Sequence, residues 1–168
     1  MKKIIISAAV MISATFFGQR VQKGDLQLNA GLALPHRYAE NVGLYAGLDY
    51  GVYKDVTVGI EARFGDKDYD NDTRGRWLGV GVNGNYHFNT LMSIPDNFDF
   101  YAGLTVGFNS FNFDHPNNPN YHDPYKSEPG VSAQVGGRYY FSNNFGINAE
   151  ANAGGVFNGG KIGISYKF

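Results

Sequence analysis

The sequence has no cysteine, one tryptophan, three methionines and six prolines in 168 residues. Without cysteine there is neither a disulfide framework nor a thiolate zinc site. An excess of one charge is also missing: 14 Lys and Arg stand against 15 Asp and Glu, a formal charge of −1. That excludes the strongly basic footprint of an ordinary nucleic-acid binder. The apolar run from Ile4 to Phe17 is too short for a comfortable membrane span, and no other stretch approaches the ~18 consecutive apolar residues of a membrane helix. No nucleotide, cofactor or nucleophile-elbow motif occurs, and the scattered glycines are not spaced as a phosphate loop. At this length one domain is the expectation.

What is present is glycine and aromatic residue in quantity: 23 Gly, 13 Phe and 12 Tyr, with 43% hydrophobic residues overall. Leucine is sparse. This mix excludes disorder and suits an all-β chain. The first residues, MKKIIISAAVMISATFFG, have two lysines, an apolar stretch and a small residue at Gly18. That is the layout of a secretory signal peptide over residues 1–18, with cleavage before Gln19 or Arg20 and an uncleaved anchor helix as the alternative. Removal takes Lys2 and Lys3, so 12 basic groups then face 15 acidic ones. Residues 19–168 form the mature domain.

Beyond Gly24 the chain alternates apolar and polar with period two. Eight such segments are expected, over residues 26–34, 42–52, 56–64, 78–88, 98–109, 131–141, 145–153 and 161–168. Their length fits tilted strands crossing a bilayer, and an even number fits a closed up-and-down barrel. Tyr53-Lys54-Asp55, Ser142-Asn143-Asn144 and Asn89 to Asn97 make short turns at one end. Pro35 to Asn41, Gly65 to Gly75 and Ser110 to Pro129 make longer, Asp-, Asn- and Pro-rich loops at the other, with a short link near Gly155 to Gly160.

Alternation alone does not separate a membrane barrel from a soluble one, whose apolar face points inward. Here the polar face is mostly Gly, Asn, Ser, Thr and Gln, too poor in charge for an outer surface in water and small enough for a narrow lumen. On the apolar face Tyr50, Tyr86, Phe88, Phe98, Phe100, Tyr139, Phe141, Phe145, Tyr166 and Phe168 gather towards the short-turn end. Phe64 and Phe108 mark the other rim, and the middles are Leu, Val, Ile and Ala. This is an aromatic girdle around an aliphatic band.

The ending Lys161-Ile-Gly-Ile-Ser-Tyr-Lys-Phe168 resembles the terminal strand of bacterial outer-membrane proteins. Gly137 to Ala151, GRYYFSNNFGINAEA, resembles the penultimate hairpin of the small outer-membrane β-barrel group, OmpA/OmpX-like and opacity-protein-like. The resemblance implies an all-β, eight-stranded antiparallel up-and-down transmembrane barrel in the outer membrane of a Gram-negative bacterium. It implies contact with outer-membrane lipid and lipopolysaccharide. It also implies that Tyr166 and Phe168 serve as the signal read by the barrel assembly machinery. It says little about function, since members of the group do different things.

Asp49, Glu61, Arg63, Arg138, Glu150, Lys161 and Lys167 fall on the lumen side of the alternation. Counting outwards from the two tight turns sets Gly47 opposite Glu61, Gly136 opposite Glu150 and Arg138 opposite Asn148, with Glu150 diagonal to Arg138 and in its reach. Paired carboxylates could run acid–base chemistry or an ion path. A buried ion-pair network that fills and stiffens the barrel is the simpler expectation. Asp66, Asp68, Asp70 and Asp72 alternate in one loop, as calcium ligands can, but no glycine takes the sixth position and Trp77 stands at the twelfth. His115 and His122 could hold a metal. With Tyr121 and Tyr125 they more naturally form an exposed loop for partner contact. No cofactor and no metal centre is expected. His87 is placed in the lumen without a neighbouring Ser nucleophile. The expected role is non-enzymatic, structural or surface-interacting through the outer loops. A small pore or carrier for apolar solutes, a membrane-embedded lipid hydrolase and a secreted soluble ligand-binding barrel stand as alternatives.

Overall fold

Period-two sequences satisfy their backbones only by pairing, and in the computed structural model this chain does so without leaving an edge. The structure describes residues 20–35, 42–68, 74–114 and 127–168. Their eight strands are β1 (Leu26–Pro35), β2 (Gly43–Tyr53), β3 (Val56–Asp68), β4 (Arg74–His87), β5 (Phe98–Asp114), β6 (Glu128–Tyr140), β7 (Phe145–Gly154) and β8 (Gly159–Lys167). Each pairs antiparallel with the next, and β1 closes on β8 from Gln27↔Lys167 to Pro35↔Gly159. The registers counted from the tight turns are present: Gly47↔Glu61, Gly136↔Glu150 and Arg138↔Asn148.

The burial pattern is that of an inverted barrel. Large apolar side chains point outward and are exposed, among them Leu44, Ile60, Val82, Leu104, Val135 and Ile147. Inside lie Asp49, Glu61, Arg63, His87, Asp99, Arg138, Glu150 and Lys161, all buried, together with many Asn, Gln, Ser and Thr. An apolar surface this continuous fits hydrocarbon, not water. Its aromatic rim is in mutual contact: Phe98 stacks on Phe100 and leans on Tyr139, and Phe141, Phe145, Tyr166 and Phe168 touch in sequence.

Four strands, β3 to β6, run further than the alternation of apolar residues suggests, β6 starting at Glu128 opposite Asn109. β3 and β4 pair as far as Asp68↔Arg74, and β4 and β5 as far as Arg74↔Asp114. Loops expected over 65–75 and from residue 110 are therefore partly ribbon. Backbone pairing needs no apolar side chain once the strand has left the hydrocarbon. Outward positions there turn polar (Asp66 opposite Arg76), while Trp77 and Phe111 occupy the inner face. The Asn89–Asn97 turn contains one helical turn, α1 (Asn89–Met92).

Candidate functional site

The polar lumen is the only place where charge, burial and hydrogen bonding converge among the described residues. Two arginines organise it into layers.

Arg138 on β6 is the hub of the layer nearer the short turns. Its guanidinium reaches Asp49 on β2 at 2.5 Å and Asp99 on β5 at 3.0 Å. Asn29 donates to Asp49 at 2.9 Å. Asp99 holds His87 Nδ1 at 2.6 Å, and His87 Nε2 meets Thr57 Oγ1 at 3.0 Å.

Arg63 on β3 is the hub of the second layer. Its Nε donates to Glu61 at 2.6 Å, and a terminal nitrogen donates to Glu150 at 3.3 Å and to Asn152 at 2.8 Å. Lys161 on β8 pairs with Glu61 and, at 3.0 Å, with Glu150. Two carboxylates and two cations balance here.

Tyr101 joins the layers. Its hydroxyl donates to Glu150 at 2.7 Å, and its ring lies 4.4 Å beneath the Arg138 guanidinium.

Of the seven charged residues set on the lumen side by the sequence, Asp49, Glu61, Arg63, Arg138, Glu150 and Lys161 lie in these two layers and Lys167 lies at the short-turn end, but they are partnered differently from the diagonal expectation. Arg138 pairs across the barrel with Asp49 and Asp99, while Glu150 goes to Arg63 and Lys161. The diagonal argument considers one hairpin only. In a narrow closed barrel the facing wall is as near as the adjacent strand, and Tyr101 stands between Arg138 and Glu150. Thr57, Tyr101, Asn29 and Asn152 have the lumen parity expected of them but are not named as partners by the sequence reading, which does not place Asp99 at all. Asp99 has the lumen parity of its strand, two residues before Tyr101, so the alternation alone could have placed it there.

Both ends of the lumen are covered. At the long-loop end Val156 and Phe157, from the link between β7 and β8, pack on Trp77 with Phe111 beside them. At the short-turn end Tyr140 donates to Gln27 at 2.5 Å, and Lys167 faces Asp25 at 3.4 Å. The segment entering β1 crosses this floor with Val21 buried. Arg20 pairs with Asp55 and donates to Thr90 at 3.2 Å, which ties the 53–55 turn to the 89–97 turn. Burial would lift the Asp55 carboxyl, but hydrogen bonds from Thr90 and Arg20 and the Arg20 charge outweigh it and hold its pKa below the usual carboxylate value.

Tyr166 and Phe168 sit on the exposed outer face, Tyr166 opposite Phe145. Asp66 is exposed on β3 opposite Arg76, and the backbone of Asp68 ends that strand. Asp70, Asp72, His115, Tyr121, His122 and Tyr125 lie outside the described residues, as does the segment 1–19. Among the described residues no three His, Asp or Glu gather as metal ligands.

No protein-family model and no curated protein matches the sequence. Solved structures do match in shape. The outer membrane protein OprG of Pseudomonas aeruginosa aligns over 91% of this chain and 99% of its own, at a TM-score of 0.64 and 14% identity. The fold is that of the small outer-membrane β-barrel proteins. The N-terminal barrel domain of P. aeruginosa OprF aligns at a TM-score of 0.57 and 13% identity, over 87% of this chain and 98% of that one. Ail of Yersinia pestis, in a phospholipid nanodisc, aligns at 0.57 and 14% identity, over 87% of this chain and all of its own. At these identities the likeness is one of architecture. The lumen partners described above are therefore read from this chain alone.

Proposed function

We propose that the protein is an integral outer-membrane barrel of a Gram-negative bacterium. In this reading its signal peptide exports it, and it acts without catalysis as a structural or surface-interaction protein through its long-loop end. The observation that carries the reading is the inversion of the barrel: apolar side chains outside, neutralised charge layers inside. A soluble barrel would have these faces exchanged.

The lumen favours a closed barrel over a pore. Two cross-braced layers and two covered ends leave its charged groups partnered to one another, and conduction needs sites an ion can enter and leave. The row Thr57–His87–Asp99 has the order of nucleophile, base and orienting acid, but all three side chains are buried and the second oxygen of Asp99 is bound by Arg138. A hydrolase needs room for substrate at the nucleophile; here the row reads as bracing. The partners implied are outer-membrane lipid, lipopolysaccharide and the barrel assembly machinery acting on Tyr166 and Phe168. That the attachment invasion locus protein Ail has this architecture makes surface contact a role the scaffold accommodates.

The test is expression with the leader, fractionation, and electrophoresis of the detergent extract with and without boiling. The expected result is a processed band in the outer membrane whose mobility changes on boiling, with no steady conductance in planar bilayers. Recovery without detergent would overturn the location. Stable single-channel currents would overturn the closed lumen.

A further inference from the structure

The link between β7 and β8, residues 155–158, turns into the barrel mouth. Val156 and Phe157 at its centre are 0% and 1% exposed. The ring of Phe157 is received by residues of other strands. The Arg63 guanidinium sits 4.0 Å from its centroid, and Trp77 lies alongside. Gly79 of β4 leaves the space it fills: a methyl there would stand 2.8 Å from the ring edge. The backbone is pinned from outside the link too. Ser132 Oγ accepts from the Val156 and Phe157 amides at 3.0 and 2.8 Å, and Asn109 donates to the Gly155 carbonyl at 2.6 Å. On either side stand Gly154 and Gly159 with φ of 155° and 118°, a backbone region that side chains resist.

We infer that Phe157 is a stopper in a ring-sized receptor at the outer mouth, and that the receptor binds a small uncharged planar aromatic molecule when the stopper leaves. The cation at its floor attracts the face of a π system. Arg63 and Lys161 are already balanced by Glu61 and Glu150, so neither an anion nor a cation gains from entering. Gly79 and Trp77 set the width, and the layers beneath close the floor, so the site is blind. The three short polar contacts on the link, with glycine at both hinges, are what an incoming ring must displace.

Trp77 is the sole tryptophan of the chain and a wall of the receptor, so its emission reads the site directly. The full mature barrel in detergent micelles is titrated with nitrobenzene, a ring that quenches tryptophan, and with nitromethane, a quencher without a ring. Three chains are compared: the unaltered protein, Phe157→Ala and Ser132→Ala. Phe157→Ala empties the receptor, and nitrobenzene quenching is expected to saturate while nitromethane quenching stays linear. The unaltered protein should need on the order of tenfold more nitrobenzene. Ser132→Ala, which frees two amides but keeps the ring, should fall between, about fivefold tighter than the unaltered protein. Equal, linear quenching in all three would overturn the receptor, and saturation by nitromethane as well would overturn its preference for a ring. Should Phe157→Ala fail to give a heat-modifiable band, Ser132→Ala decides alone: no gain over the unaltered protein refutes the stopper.

Discussion

Replacing Arg138 by Met tests whether the lumen is held by charge balance. The side chain is 4% exposed, and its two partners, Asp49 and Asp99, are 4% and 0% exposed. Removing the cation leaves Asp49 with Asn29 and Asp99 with His87, two carboxylates sharing a space that no longer neutralises them. Breaking a buried pair from one side costs about 3–5 kcal/mol, and the lost contact with the Tyr101 face adds about 1 kcal/mol. We expect a total loss of about 4–6 kcal/mol. With a urea slope of about 2 kcal/mol/M, the unfolding midpoint should fall by about 2–3 M. The measurement is urea unfolding and refolding in lipid vesicles, followed by Trp77 emission and by the unboiled gel shift. The companion variant Arg138→Met with Asp49→Asn and Asp99→Asn removes the charges together and should regain most of the loss, because a neutral hydrogen-bonded layer has no stranded ion. A single variant within about 1 kcal/mol of the parent would refute the reasoning, since the pair would then be breakable at the small cost known for exposed ions. A triple variant no better than the single one would refute it too, by locating the cost in shape and not in charge.

Asp55 gives a pH prediction. Its folded pKa is depressed, so its share of stability is present above the unfolded value of about 3.9 and is lost as pH falls through the lower folded value. Asp55→Asn tolerates the same left-handed backbone (φ 61°). It should flatten the acid limb of a stability-versus-pH curve, and an unchanged limb would exclude Asp55 as its source. Gly136→Ala places a methyl 2.5 Å from the Tyr101 hydroxyl and Cζ. It should push the phenol off Glu150 and cost about 1–3 kcal/mol, read in the same urea assay. Arg20→Ala should loosen the short-turn floor without opening the lumen: amide exchange should rise in residues 53–55 and 89–97, while planar bilayers stay silent.

Much of the fold was legible because a barrel strand carries its own label. A side-chain period of two, a polar face without surface charge and a tight turn together fix which residue faces which, and both Glu61 and Glu150 received glycine partners on that count alone. Strand ends were less legible. Above the hydrocarbon the outward residues Asp66 and Arg76 become polar, so the alternation fades while the pairing continues. The membership of the charge layers was legible, but the partnership was not. Arg138 meets Asp49 over 89 residues of sequence, across a lumen whose width no local pattern encodes. Phe157 was the hardest to foresee. One aromatic in a Gly- and Asn-rich link carries no periodicity, and only the absence of a side chain at Gly79 marks where it goes.

The seam between β1 and β8 has a kinetic consequence. From within, Asn29 of β1 accepts from Ser165 of β8 across 136 positions, and nearby Gln27 of β1 accepts from Tyr140 of β6 across 113. The first cannot form until the first and last strands meet, and the second waits until the sheet has curled most of the way round. The pairs Asp49–Arg138 and Glu61–Lys161 likewise wait for strands distant in sequence, whereas Glu61–Arg63 and Lys161–Glu150 form within one strand and one hairpin. An open intermediate would carry naked carboxylates against lipid, so partial insertion is penalised and closure is the committing event. High contact order of this kind makes folding slow and cooperative. Once the circle shuts, the same long-range ties must all be broken together, so the barrel should leave the membrane even more slowly than it enters.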